Sequence, residues 1–200
     1  MKKSIPKTLL IVGLGNPGKE YESTPHNAGF LVVDQLLETY NIKPETYSKL
    51  KSEIAEYKID NKKVILAKPQ TFMNASGVAV KSIVSSFKLQ VSCIWVIHDD
   101  VDLELGKIKI VKNRGSAGHK GVEDIIRKLK TKDFVRFRIG IRSKRLATKR
   151  SKALMNKFVA SAIDKSDQAV FKKAIKRCTE AVLLALEEGI EKAASVYNQN

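Results

Sequence analysis

The chain has 200 residues, of which 43% are hydrophobic, and its 37 lysines and arginines outnumber its 21 acidic residues, for a net charge of +16. This length suits one globular domain with its own core, and no apolar run approaches the roughly 18 residues of a membrane span. The lysines at the start precede only a short apolar run that leads into Asn-Pro-Gly, which indicates a first strand rather than a signal peptide. Cys93 and Cys178 lie far apart without metal-binding spacing, so we expect reduced thiols in a cytoplasmic protein.

The positive charge is concentrated in the second half of the chain. Residues 107–157 contain 18 lysines and arginines but only three acidic residues, and the first arginine of the chain is Arg114. Such clustering is typical of a protein that binds a polyanion, because each phosphate that a cation neutralises releases counterions. A solvated, lysine-rich surface without a ligand is the alternative interpretation.

Strand and helix patterns alternate along the chain. Short apolar runs bounded by glycine or polar residues predict strands, and apolar residues three or four positions apart predict helices. The predicted strands are residues 8–12, 53–59, 63–66, 94–97, 107–111 and 136–141. One predicted helix starts at Asn27, and three more cover residues 78–87, 122–129 and 171–186. This order predicts an α/β protein, one domain over residues 1–200 with a twisted mixed β-sheet flanked by helices and a core at about 8–188.

Polar segments connect these elements. The predicted connections are residues 41–51, the hairpin turn Asp60-Asn61-Lys62 and the basic stretch 142–152. Asn27 is predicted to cap the first helix, and Asn74 or Ser76 the second. The second cap bears on function, because a helix N-terminus offers N–H groups and the positive end of a dipole to a developing negative charge.

The loop of residues 13–29, GLGNPGKEYESTPHNAG, is the segment most typical of a functional site. It has no periodic apolar pattern, yet it contains one of only three histidines. Its Gly13-x-Gly15-x-x-Gly18 matches the glycines of a dinucleotide-binding fingerprint. No helical pattern begins at Gly18, and the acidic residue at the expected spacing, Glu38, lies inside a helical pattern. We therefore expect no nucleotide cofactor.

The same loop closely resembles the N-terminal motif of bacterial peptidyl-tRNA hydrolases, G-L-x-N-P-G followed by Y-x-x-T-R-H-N-x-G. Further blocks match that family in order, and they are KPQTFMNASG at 68–77, HDDVDLELG at 98–106, and GSAGHKG at 115–121 with RFRIGI at 136–141 behind it. Four ordered blocks are far more specific than one. The resemblance implies hydrolysis of the ester between a peptide and the terminal ribose of tRNA, which recycles tRNA in translation. It implies a monomer without a metal, a cofactor or an obligate protein partner.

The resemblance also assigns catalytic roles. Ester hydrolysis needs a base that activates water, a group that orients this base, and donors for the oxyanion. His26 is the implied base, since histidine exchanges protons near neutral pH, and Asp99 is the implied acceptor that orients its ring. Asn16 is implied to contact the peptide beside the ester.

Contacts with tRNA are expected from two groups of residues. The resemblance implies contacts with the 3′ end from Tyr21, Phe72 and Asn74, the last of which is also placed to order water or the oxyanion. Arg136 and Arg138 alternate with apolar residues and therefore share one face of a strand. Together with Lys109, they are the predicted phosphate ligands.

The sequence departs from the family pattern at three places. Pro25 replaces the arginine before the implied base, which removes a charge and a backbone donor and restricts Thr24 to extended conformations. The glycine-rich turn lacks one glycine, and Lys120 replaces a substrate-contacting asparagine. Arg142-Ser143 replaces the glycine after RIGI. Because Lys120 is a phosphate-seeking cation, we expect tRNA binding to be retained but differently tuned.

Other interpretations are open at this point. The carboxylates of residues 98–102 could form a hard-metal site for Mg²⁺. His119 is interpreted as a turn or helix-start residue. No G-x-S-x-G motif is present, so a serine hydrolase lacks its key feature. An RNA-binding relative that has lost hydrolysis is the main functional alternative, but it predicts a disrupted base or orienting group, and His26 and Asp99 are both present.

Overall fold

The structure is a computed structural model that describes residues 7–59, 61–143, 155 and 158–199. Its strands are β1 (Thr8–Gly13), β2 (Glu45–Tyr47), β3 (Ser52–Ile59), β4 (Lys62–Pro69), β5 (Ile94–Glu104), β6 (Ile108–Lys112) and β7 (Val135–Arg142). Its principal helices are α1 (Ala28–Thr39), α2 (Ser76–Ser86), α3 (Lys120–Leu129), α4 (Lys165–Glu188) and α5 (Ile190–Tyr197). Within this described part of the chain, no helix is both long and apolar enough to cross a membrane.

The strands form one mixed sheet in the order β2-β3-β4-β1-β5-β7-β6. The four central strands β4, β1, β5 and β7 are parallel to their neighbours within that group. The outer strands pair antiparallel, β2 with β3, β3 with β4, and β6 with β7. The predicted α/β class with a mixed sheet flanked by helices is confirmed.

Helices cover both faces of the sheet. Buried residues of β1, β5 and β7 that point to one side, such as Leu9 and Phe137, pack with α1, α4 and α5. Alternate residues of β1 and β5, such as Val12 and Val96, pack with α2 and α3 on the other side. Each fully buried side chain of this size stabilises the fold by about 1.5–3 kcal/mol. The central parallel strands are thus apolar on both faces, which explains their continuous apolar runs.

Several predicted boundaries differ from the structure. The predicted connection 41–51 contains the short strand β2, and the predicted strand 94–97 continues as β5 through Glu104. Asp60 of the predicted hairpin turn and residues 144–152 of the predicted basic connection lie outside the described residues. The hairpin itself is present, because β3 and β4 pair antiparallel up to Ile59 and Lys62.

The predicted N-cap position is confirmed for α1 and wrong for α2. Asn27 is the N-cap residue of α1, although its side chain makes no capping hydrogen bond, and Ala75, rather than Asn74 or Ser76, takes the N-cap position of α2, also without such a bond. The Ser76 hydroxyl donates to the carbonyl of Met73 instead. None of the side chains of Asn27, Asn74 and Ser76 therefore caps a helix. The N-terminus of α2 obtains its hydrogen-bond acceptor from a residue of α3, as described below.

Candidate active site

The loop of residues 13–29 lies across the carboxyl ends of β1 and β5. The two strands pair as far as Gly13 and Ile97, and β5 then runs on beside β7 alone. The loop turns back onto this edge, since the N–H of Leu14 donates to the carbonyl of Ile97 at 2.9 Å. A Cβ on Gly13 would lie 2.2 Å from the carbonyl oxygen of Gly29, so the two ends of the loop approach too closely for any side chain. Gly18 leads only into a single 3₁₀ turn, Lys19–Tyr21, which does not match a dinucleotide-binding helix.

His26 lies in the second 3₁₀ turn of this loop, Pro25–Asn27. Thr24 is extended (φ −91°, ψ 151°), which confirms the restriction expected from Pro25. Nδ1 of His26 lies 2.9 Å from Oδ1 of Asp99, and the two side chains are 12% and 1% exposed. A neutral imidazole in this position must donate its Nδ1–H to the carboxylate, which leaves a lone pair on Nε2.

His119 binds the same carboxylate oxygen. Its Nε2 lies 2.9 Å from Oδ1 of Asp99, while its Nδ1 accepts the backbone N–H of Val122 at 3.3 Å. Nδ1 therefore has no proton, and Nε2–H is the donor to Asp99. His119 is the N-cap of α3, which confirms the predicted helix start. Its contact with Asp99 was not predicted.

The Asp99 carboxylate is held in its charged form. Burial alone would raise its pKa, but the charges and hydrogen bonds of His26 and His119 outweigh burial and hold the pKa far below its usual range. The site thus contains a fixed negative charge at almost zero exposure. Such a charge orients an imidazole ring and stabilises the imidazolium that a general base becomes.

His98 completes a cluster that contains all three histidines of the chain. It is fully buried, its Nδ1 lies 2.6 Å from the carbonyl oxygen of Asp99, and its ring centroid lies 4.6 Å from that of His119. Burial lowers the pKa of His98 well below its ordinary value, and the charges of His119 and Arg136 lower it further. His98 is therefore neutral and donates its Nδ1–H to the backbone carbonyl of Asp99.

The carboxylates of residues 98–102 do not converge on a common point for a hard metal. Oδ2 of Asp100 accepts a hydrogen bond from Nε of Arg138 at 2.6 Å, and its Oδ1 accepts the N–H of Asp102 at 2.9 Å. Asp99 instead faces the imidazoles. Among the described residues, the group that could hold a metal ion consists of His26, Asp99 and His119.

Asn16 is fixed on both sides by hydrogen bonds. Its backbone N–H donates to Oδ1 of Asn27 at 2.8 Å, and its carbonyl accepts from Nδ2 of Asn27 at 3.0 Å. The side-chain oxygen of Asn16 accepts the backbone N–H of Met73 at 2.8 Å. The amide group of Asn16 is thus oriented with its oxygen toward Met73, which leaves its NH₂ group for other partners.

Two aromatic side chains flank the Met73 turn. Phe72 is 59% exposed, and its ring packs edge to face against Tyr21 with centroids 6.4 Å apart. Asn74 is exposed in the 3₁₀ turn Met73–Ala75. The structure therefore brings Asn16, Tyr21, Phe72 and Asn74 to one region. Asn16 binds the turn that contains Asn74, and Tyr21 packs on Phe72, which precedes this turn. A large exposed aromatic side chain of this kind is suited to stacking on a nucleobase.

The predicted phosphate ligands differ sharply in exposure. Lys109 and Lys120 are exposed, and Lys109 pairs with Arg138 across β6 and β7. Arg138 is 17% exposed in its side chain and is already paired with Asp100. Arg136 is only 2% exposed, so in this structure it cannot reach a phosphate at the surface. The prediction for Arg136 is therefore corrected. Strand alternation correctly placed Arg136 on the same face of β7 as Arg138, but this face is covered at the position of Arg136.

A cavity of about 430 Å³ opens beside the histidine cluster. Its polar lining includes His26, Asp99, Asp102, His119, Lys120 and Glu123. Val101, Met155 and Val159 supply apolar walls. This combination of a few convergent polar groups with an apolar wall is typical of a ligand site.

Sequence reasoning missed two residues of this site. Asn27 holds the backbone of Asn16, although it was predicted only as a helix cap, and His119 shares Asp99 with His26. The position of Asn27 directly after His26 was the available signal for Asn27. No local signal marked His119, since His119 and Asp99 lie 20 residues apart on different elements.

The chain is similar to known proteins over nearly its whole length. A family model described as peptidyl-tRNA hydrolase matches residues 10–200. The chain is 42% identical to the peptidyl-tRNA hydrolase of Thermodesulfovibrio yellowstonii over 96% of this chain and 99% of that protein, and 38% identical to that of Aquifex aeolicus over 95% and 96%. A solved peptidyl-tRNA hydrolase from Acinetobacter baumannii matches with a TM-score of 0.89 at 31% identity, covering 98% of this chain and 97% of that one. The chain therefore belongs to the peptidyl-tRNA hydrolase family.

Proposed function

We propose that this protein hydrolyses peptidyl-tRNA at the ester between the peptide and the 3′-terminal ribose, which returns free tRNA to translation. The observation that carries the proposal is the pairing of His26 with the buried, ionised Asp99 at the edge of the cavity, since this pairing leaves Nε2 of His26 free to act as a base. Membership of the family supports the substrate class.

In the proposed reaction, Nε2 of His26 takes a proton from a water molecule as its oxygen attacks the ester carbonyl carbon. The resulting imidazolium is stabilised by Asp99 and then gives the proton to the ribose oxygen as the ester C–O bond breaks. The products are a peptide with a free carboxylate and a tRNA with a free 3′ end. General base catalysis of this kind contributes on the order of 10²- to 10⁴-fold in rate.

We propose that the NH₂ group of Asn16 donates to the substrate carbonyl, where charge develops in the transition state. The Asn16 oxygen is already engaged by Met73, so the amide cannot flip without losing that hydrogen bond. Asn74 is the second proposed donor for the oxyanion or for the attacking water.

We further propose that Tyr21 and Phe72 stack at the 3′ end of the tRNA and that Lys109, Lys120 and Arg138 lie along its phosphates. The exposure of Phe72 and of the two lysines supports these roles. Arg138 would have to share its guanidinium between Asp100 and a phosphate. We also propose that residues 1–200 form one domain acting as a cytoplasmic monomer without a cofactor or an obligate protein partner.

The test is release of N-acetyl-amino acid from N-acetyl-aminoacyl-tRNA by the purified protein. We expect cleavage of the blocked substrate, no cleavage of unblocked aminoacyl-tRNA, and a loss of at least about 100-fold in kcat for His26→Ala. Circular dichroism of the variant serves as the folding control. Tight, salt-sensitive tRNA binding without cleavage by the wild type would overturn the proposal in favour of a non-catalytic RNA-binding protein.

A further inference from the structure

The histidine cluster has a property that hydrolysis does not use. One ring nitrogen of His26, one of His119 and a carboxylate oxygen of Asp99 lie within 4.8 Å of one another. Each nitrogen lies 2.9 Å from Oδ1 of Asp99. Two ligand atoms about 2.1 Å from a tetrahedral ion are separated by about 3.4 Å, so an ion enters this site when each N···O distance lengthens by about 0.5 Å from its hydrogen-bonded value.

We infer that His26, Asp99 and His119 form an inhibitory site for a divalent transition-metal ion such as Zn²⁺. Two imidazoles and one carboxylate are ligands that Zn²⁺ and Co²⁺ accept, whereas Mg²⁺ prefers an all-oxygen shell. The two nitrogens approach the ion from different elements, the 3₁₀ turn at Pro25–Asn27 and the start of α3. The cavity lined by all three residues supplies the entry path and room for water ligands.

Metal binding would switch off the base by changing its tautomer. An imidazole that binds a metal through Nδ1 and stays neutral carries its proton on Nε2. The Nδ1 proton of His26 is lost as the metal takes its place, and a proton is gained on Nε2, so the net protonation of the ring does not change. The lone pair that would accept a proton from water is then absent. This inference rests on the proposed function only for its inhibitory effect, since the binding itself requires no catalysis.

His119 limits the affinity of the site. To bind the metal through Nε2, its proton must move to Nδ1, which now accepts the N–H of Val122. Metal binding therefore removes the acceptor that His119 offers to α3. In a dedicated metal site, the ring nitrogen of histidine that does not bind the metal donates its N–H to a neighbouring acceptor, which holds the ring in the required tautomer. We expect reversible binding that a chelator removes.

Binding can be measured without reference to activity. The wild type, Cys93→Ser, His119→Ala and His26→Ala are titrated with Zn²⁺ by calorimetry and with Co²⁺ by visible absorption, with Mg²⁺ as the control ion. Cys93→Ser is included because Cys93 is a free, half-buried thiol that could bind zinc independently. We expect one site in the wild type and Cys93→Ser, at least about 10-fold weaker binding in the two histidine variants, and no Mg²⁺ binding at this site.

Activity then tests the consequence. Zn²⁺ should inhibit ester cleavage by the wild type and Cys93→Ser over the concentration range in which it binds, and a chelator should restore the rate. Unchanged affinity in folded His119→Ala, loss of binding in Cys93→Ser, or absence of binding to the folded wild type would each overturn the inference. If the wild type binds the ion through the histidines but cleaves no substrate, the proposed hydrolase function fails while the metal site stands.

Discussion

Arg136 and Arg138 lie on the same face of β7, but they differ in their contacts. Arg138 donates to Asp100 at 2.6 Å, and Asp100 is only 5% exposed, so the two charges compensate each other. Arg136 is almost completely buried, and its Nη1 has no hydrogen-bond partner among the residues that the structure describes. Burial and, to a smaller extent, the charge of Arg138 lower the pKa of Arg136 to about 10, although the charge of Asp100 offsets part of the effect. A buried cation without a direct partner is expected to cost stability.

Replacing each arginine by methionine should therefore have opposite effects. Arg138→Met leaves Asp100 buried and unpaired, and we expect it to lower the free energy of unfolding by about 3–5 kcal/mol. Arg136→Met removes an uncompensated charge while keeping much of the volume, so we expect no loss and a gain of up to about 2 kcal/mol. Urea unfolding of both variants with a common m-value measures the difference. An equal loss in both variants would show that Arg136 has a stabilising partner.

These residues also show what a motif can and cannot predict at the scale of one side chain. His26 and Asp99 could be named because the sequence blocks around them are specific, and the structure places them 2.9 Å apart. Arg136 was misassigned because strand alternation specifies which face a residue shares, not whether another element covers that face. His119 was underestimated because its partner is 20 residues away on another element.

The α2–α3 pair depends on a hydrogen bond between the two helices. The N–H of Gly77 in the first turn of α2 donates to Oδ2 of Asp124 at 2.9 Å, and Asp124 on α3 also pairs with Arg127. A Cβ on Gly77 would lie 2.3 Å from the carbonyl oxygen of Asp124, so the helices touch along their backbones. Local capping rules predicted Asn74 or Ser76, but the acceptor comes from a residue 47 positions away, which such rules cannot consider.

Removal of this acceptor should loosen the turn that carries Phe72 and Asn74. We expect Asp124→Ala to lower the free energy of unfolding by about 2–3 kcal/mol, because it leaves a buried N–H unsatisfied. Asp124→Asn should cost less, since its amide oxygen can still accept the hydrogen bond. Glu123→Ala, one residue earlier on the exposed side of α3, is the matched control and should stay within about 0.5 kcal/mol of the wild type. Chemical denaturation of the four proteins decides the matter, and equal stability of Asp124→Ala and Glu123→Ala would contradict the role of this hydrogen bond.

At the scale of the whole molecule, periodicity was sufficient for the fold class but not for the strand order. The apolar runs and helical spacings predicted the principal strands and helices, because burial on one or both faces leaves a direct pattern in the sequence. The insertion of β7 between β5 and β6 depends on contacts between distant segments, which periodicity does not contain. The three-residue strand β2 was missed because all of its residues are exposed and leave no apolar pattern.

Because β2 and β6 form the two edges of the sheet, lysines at these edges allow the effect of a local charge on tRNA binding to be compared with that of the net charge. β6 forms one edge and carries the exposed Lys109, whereas Lys43 is an exposed lysine just before β2 at the opposite edge. Neither lysine has an ion-pair partner among the described residues. Both therefore contribute the same unit charge to the total of +16 but sit on opposite sides of the molecule.

If tRNA binds along the β6 edge, only one of these lysines should affect its salt dependence. We expect Lys109→Gln to weaken tRNA binding and to lower the slope of log K against log salt concentration by about 0.7–0.9, the value for one lost phosphate contact. Lys43→Gln removes the same charge and should leave that slope unchanged. Fluorescence anisotropy with labelled tRNA at four or five salt concentrations measures both. Equal effects of the two substitutions would mean that net charge, rather than a phosphate contact at Lys109, governs association, because a contact is local whereas the long-range field is shared by every lysine.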